Sequence, residues 1–144
     1  MSNKRDTNVL IVPCSGIGKV HGLIAREAVL AAIDELGQPT ADTMCLGLMV
    51  PRDPEAMDAV QTRPCIAVDG CPKLCSYKNL EMGGAKELQS VRVVDAFKGH
   101  KGAEPGDATN LSEDGWMIVD EIAGDLVARV RQMVAPLPAP GQGG

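Results

Sequence analysis

Four of the five cysteines in this 144-residue chain, Cys14, Cys45, Cys71 and Cys75, fall where a parallel α/β sheet would bring them together. The anchor is the segment PCIAVDGCPKLC at residues 64–75. An apolar stretch ends there in Asp69-Gly70, Cys71 follows, and Cys75 comes four residues later. Four convergent thiolates match a tetrahedral Zn(II) site with Zn–S distances of about 2.3 Å. Soft sulfur ligands equally suit Cu(I) or an Fe–S cluster. A thiol at a helix start, as expected for Cys71, or beside the amides of a glycine loop, as expected for Cys14, is easier to ionise. Lys19 and Lys73 could offset the charge of such a site. The C-x3-C spacing alone says little, and no pair of C-x2-C motifs is present, so the competing reading is a set of ordinary core cysteines.

The elements that would carry these residues alternate along the chain. Residues 8–13 (NVLIVP) read as a short buried strand that stops at the loop CSGIGKVHG, residues 14–22. Helical periodicity covers residues 20–36, with Leu23, Leu30 and Ile33 away from the charged face, and Gly37 and Pro39 end it. Residues 40–46 are the weakest strand. A short helix opens at Asp53-Pro54 and runs to Gln61, with Pro54 suited to its first turn. Cys65–Asp69 is a second buried strand. Pro72 starts a helix that ends at Gly83-Gly84, and residues 91–97 (VRVVDAF) read as another strand. Residues 98–115 are polar and glycine-rich, as in a surface loop. The last helix is expected over residues 116–134, where Val119, Ile122, Leu126, Val130 and Met133 recur at helical spacing.

Strand–helix alternation implies an α/β fold: one three-layer sandwich over residues 1–134, with a mainly parallel, Rossmann- or flavodoxin-like sheet of about four strands. Residues 135–144 (PLPAPGQGG after Ala135) are expected to be a disordered Pro/Gly tail. Right-handed crossovers put all strand C-terminal ends on one edge, where open α/β sheets bind ligands. Cys14, Cys45, Cys71 and Cys75 can all reach that edge. Cys65 opens its strand, about 20 Å from Cys71, and reads as a small buried hydrophobe.

Bulk composition narrows the function classes. The net charge of −5 argues against nucleic acid, which needs a basic face. No apolar run approaches the about 20 residues that cross a bilayer, and the N-terminus carries no long apolar signal region. Five cysteines without export point to reduced thiols in a cytoplasmic setting.

The loop with Gly16, Gly18 and Lys19 precedes a helix and could hold a small anion at its N-terminus. It is only a loose dinucleotide fingerprint, and the acidic ribose ligand is missing: Cys45-Leu46-Gly47 stands there. It is not a Walker A loop, because Val20 follows Lys19. A cysteine phosphatase would need arginine where Val20 stands. A thiol-redox or sulfur-transfer pair formed by Cys71 and Cys75 stays open, although its spacing is one residue longer than usual. His21 is a surface residue or a replacement ligand near Cys14. His100 reads as solvated. Met44, Met49, Met57 and Met82 show no clustered motif and read as core.

The chain resembles the DGC-domain family, small bacterial and archaeal proteins named for an Asp-Gly-Cys motif. The matching residues are Cys14-Ser15-Gly16 with the following Gly-Lys, Cys45-Leu46, and Asp69-Gly70-Cys71-Pro72 with Cys75, Tyr77, Lys78 and Leu80. The likeness covers about residues 8–97, and DGCPxxC is its most specific part. It implies a zinc site made by Cys14, Cys45, Cys71 and Cys75, and it leaves activity open. A site closed by four thiolates holds structure, senses metal or passes it on; it does not activate water. A thiophilic metal or metalloid handling protein is the remaining alternative.

Overall fold

The computed structural model of the chain describes residues 8–14, 18–37, 40–49, 51–70 and 73–134. Two five-residue runs form its centre, β1 (Val9–Pro13) and β3 (Cys65–Asp69). Both are apolar at nearly every position because both faces of the sheet are covered. Val9, Ile11, Ile66 and Val68 face one layer; Leu10, Val12, Cys65 and Ala67 face the other. With β2 (Ala41–Asp42) and β4 (Leu88–Arg92) they make an all-parallel sheet in the order β2-β1-β3-β4. That order begins the flavodoxin-like series and puts the reversal in strand order between β1 and β3.

The helices form the outer layers. Helices α1 (Val20–Leu36) and α5 (Glu113–Val134) cover the first face through Ile24, Ala28, Val29, Ile118, Ile122 and Leu126. Helices α2 (Pro54–Thr62) and α3 (Cys75–Met82) cover the second, with Val60 and Leu80 fully buried. The short α4 (Val93–Phe97) follows β4 directly. The start of α2 is fixed as its sequence suggests: the Asp53 carboxylate accepts the Ala56 amide at 3.0 Å and Pro54 opens the first turn. Pro13 also has a positional reason. Leu10 and Cys14 turn their amides to β3, bonding Pro64 O and Val68 O, so Pro13 faces the β2 side, where β2 has already ended. A missing N–H costs nothing there.

The three-layer α/β architecture agrees with the sequence reading, but several boundaries differ. The strand expected over residues 40–46 pairs only at Ala41–Asp42. The Thr43 amide turns back to Asp42 Oδ1 at 2.8 Å, which ends the ladder and leaves Cys45 in the following loop. The helix expected from Pro72 begins at Cys75, because Leu74 sits in the left-handed region at φ 56° and interrupts any continuous turn. The strand expected over residues 91–97 lies at Leu88–Arg92 instead. Asp69, the last residue of β3, pairs with Arg92, so Val93–Phe97 has no strand to pair with and coils into α4. Helix α5 starts at Glu113, three residues earlier than expected, where Ser112 Oγ accepts the Gly115 amide at 3.2 Å. Leu30 is 54% exposed; the buried stripe of α1 runs through Ile24, Ala25, Ala28, Val29 and Ala32 instead. The tail at residues 135–144 lies outside the described residues.

Burial in this sheet sets an expected contrast. Ile66→Ala should destabilise the fold by about 2–5 kcal/mol, since Ile66 is wholly buried between layers. Leu30→Ala should change stability by less than about 0.5 kcal/mol. Urea unfolding followed by circular dichroism measures both.

Candidate functional site

The C-terminal ends of β1 and β3 meet at the reversal in strand order, and three polar tethers gather there. The first is Asp69, 1% exposed at the end of β3. Its Oδ1 accepts the Ser76 amide at 2.7 Å and its Oδ2 accepts the Tyr77 amide at 3.1 Å. These amides belong to the first turn of α3, whose own cap residue, Leu74, offers no side-chain acceptor. Asp69 therefore caps α3 from another element and satisfies donors that the helix leaves open. Burial pushes the Asp69 carboxyl above its ordinary value, while the Ser76 and Tyr77 amides and Lys78 act the other way. The second tether is Ser76 Oγ, which donates to Val12 O of β1 at 2.7 Å. It pins the same helix start to the neighbouring strand.

The third tether involves sulfur. Gly70 N–H donates to Cys14 Sγ at 3.2 Å, and Cys14 is buried. A Cβ on Gly70 would lie 2.8 Å from the carbonyl carbon of His21 and 2.9 Å from its oxygen. The turn after β3 thus lies directly on the first turn of α1, and only glycine fits. Asp-Gly in this motif is explained by packing and capping alone.

The four sequence-assigned cysteines are placed as follows. Cys14 is buried one residue beyond β1, under the Gly70 amide. Cys75 opens α3 and is exposed. Cys45 is exposed and precedes the 3₁₀ turn Leu46–Leu48, with its carbonyl accepting the Leu48 amide at 3.0 Å. The small Gly47 sits beside the Cys45 sulfur, where a Cβ would come within 3.3 Å. Cys71, with Pro72, lies outside the described residues. Among the described residues, no group of three or more His, Cys, Asp or Glu side chains is placed to hold a metal ion. Cys14, Cys45 and Cys75 therefore do not form a three-ligand set by themselves.

Cys65 is separate from this edge. It is fully buried at the start of β3, with Sγ 3.6 Å from Val60 O and 3.4 Å from Arg63 O. Burial pushes its thiol up to about 12, with Arg63 opposing the rise. His21 turns its ring against Phe97, with centroids 4.8 Å apart. Burial lowers its pKa, and the charge of Lys19 adds to that. His100 is bonded to Glu121 at 2.7 Å.

The glycine loop expected to hold a small anion lies partly within the described residues. Gly16 lies outside the described residues. Gly18 adopts φ +91°, which favours glycine, and a Cβ there would meet nothing within 4 Å. Lys19 stands exposed at the cap position of α1 and makes no side-chain capping bond. Sequence reasoning did not foresee the role of Ser76, which bridges two elements. A serine one residue inside a helix start carries no distinctive spacing.

The DGC domain family matches residues 10–114, most of the chain, and the protein belongs to that family. No curated protein and no solved structure matches the chain. No helix among the described residues is long and apolar enough to cross a membrane.

Two outcomes follow from this geometry. Asp69→Ala should cost about 1–3 kcal/mol, because it strands two amides at the start of α3; thermal unfolding measures it. Alkylation of metal-free native protein at pH 8, read by mass spectrometry, should label Cys45 and Cys75 quickly and leave Cys65 unlabelled until denaturant is added.

Proposed function

We propose that this DGC-domain protein binds one Zn(II) through the thiolates of Cys14, Cys45, Cys71 and Cys75, with a structural, sensing or metal-transfer role. The observation that carries the reading is the bond from Gly70 N–H to Cys14 Sγ at 3.2 Å. Amide donors to sulfur favour the thiolate that a metal requires. The donor is also the residue next to Cys71, so one thiol of the set lies against the backbone that carries another.

The remaining donors fit a soft cation. Cys75 is held by a helix start that Asp69 and Ser76 tether to β3 and β1. Cys45 sits in an exposed loop three residues beyond β2, beside β1 in the sheet. Cys14 would serve as the buried anchor, and Cys45 and Cys75 would reach the ion from the exposed rim. When bound, zinc supplies a cross-link between these segments; with four thiolates it leaves no position for a reactive water. Fe–S or Cu(I) ligation would use the same sulfurs. A small anion beside Gly16, Gly18 and Lys19 belongs to the same proposal, supported by the exposed Lys19 at the start of α1. A cytoplasmic setting agrees with thiols kept reduced.

A thiol-redox role for Cys71 and Cys75 stands second. Exposure of Cys75 favours it. Against it, the Ser76 and Tyr77 amides, which could have stabilised a Cys75 thiolate, are already committed to the Asp69 carboxylate. Thiophilic metal or metalloid handling would use the zinc site with a different ion.

Elemental analysis of anaerobically purified protein should find about one zinc per chain that resists mild chelation. Cys14→Ser or Cys71→Ser should abolish retention, while Cys65→Ala should keep it. Zinc absent from the wild type, or retained in both serine variants, would refute the assignment.

A further inference from the structure

We propose that the thioethers of Met49, Met57 and Met82 form a soft-metal site that takes monovalent copper. This inference stands apart from the four-cysteine reading and uses none of its residues. Methionines without a clustered motif read as core, and Met49 and Met57 do pack in the second apolar layer. The fold nevertheless brings three of them to one place. A cavity of about 180 Å³ is bordered by Met49, Arg52, Met57, Asn79, Met82 and Gly83. Met49 arrives from the 3₁₀ turn after β2, Met57 from one turn inside α2, and Met82 from the last position of α3.

Met49 enters with its thioether end. Its ε-methyl lies against the bare α-carbon of Gly83, where a Cβ would collide with it. The sulfur is one bond behind that methyl, so it stands close to the residue that follows Met82. Met49 is 5% exposed and Met82 is 69% exposed. The set therefore runs from a buried floor to an open mouth, through which an ion can enter.

The donor set decides the ion. Among the described residues, no His, Cys, Asp or Glu borders the cavity, which leaves neutral, polarisable sulfur and the Asn79 side chain. Hard cations need several oxygen ligands and zinc prefers thiolate or imidazole, whereas thioethers select Cu(I). Helix α3 ends at this cavity. The partial negative charge of its last carbonyls favours a cation, and no basic residue stands in its last turn. Arg52 borders the cavity from the exposed side and opposes a cation. Asp58 and Glu81, next in sequence to Met57 and Met82, offset that charge. A thioether has no proton to lose, so binding here needs no deprotonation, in contrast to a thiolate site.

Titration of the full chain with Ag(I), a redox-inert ion of the same charge and softness, tests the site. The readout is the ε-methyl NMR signals of protein labelled with carbon-13 methionine. The signals of Met49, Met57 and Met82 should shift together, those of Met44 and Met117 should stay, and the midpoint should be the same at pH 5.5 and pH 7.5. Met82→Leu changes only an exposed side chain and keeps every cysteine, so binding at thiols is common to both proteins. It should weaken this binding by about tenfold or more, with unchanged circular dichroism. Arg52→Asn suits the left-handed backbone there, at φ 58°, and should tighten it. Met117 is 57% exposed and stands on α5, so it reports adventitious binding to a lone thioether. A Met117 signal that moves with Met82 overturns the proposal, as does a midpoint that Met82→Leu leaves unchanged.

Discussion

Two consecutive residues at the end of β3 hold the functional edge together. The Asp69 carboxylate fixes the start of α3, the Gly70 amide meets the Cys14 sulfur, and the bare Gly70 α-carbon rests on the first turn of α1. Each contact reaches a different element. The spot lies where the strand order reverses, so the crossovers after β1 and β3 leave to opposite faces of the sheet. The Ser76 bond to Val12 O and the burial of Leu80 against the sheet add to the same junction.

A buried carboxylate is a costly way to cap a helix. Desolvation raises the Asp69 pKa, and the two amides offset only part of the effect. A serine or aspartate at the cap position would have served α3 more simply. Leu74 occupies that position in a left-handed conformation instead, which costs on the order of 1–2 kcal/mol for a residue with a side chain. Under the proposed metal site, the start of α3 is set by where the Cys75 thiol must stand and not by helix capping alone. Strain and buried charge are then accepted locally while two fully apolar layers supply the stability.

Much of this was legible in the residues. The continuous apolar runs at β1 and β3 read as buried parallel strands, and their ends placed Cys14 and the Asp-Gly turn on one edge. Cys65 was legible as structural from its position alone, and its burial agrees. What escaped was set by partners distant in sequence. Val93 and Val94 have strand propensity, but β3 is too short to pair them. The strand expected over residues 40–46 stops at an Asp42 side-chain bond that periodicity does not register. The tether from Ser76 to Val12 spans 64 residues and leaves no local signal. The exposed loop position of Cys45 follows from the early end of β2.

The inner strands β1 and β3 bring Cys14 and the Asp69-Gly70 turn together at their C-terminal ends. The central claim is that the thiols of Cys14, Cys45, Cys71 and Cys75 close on one ion. X-ray absorption at the zinc edge of the anaerobically purified protein tests it most directly. The account predicts a single shell of four sulfurs at about 2.3 Å. A shell dominated by nitrogen or oxygen, or one with fewer than three sulfurs, would contradict it.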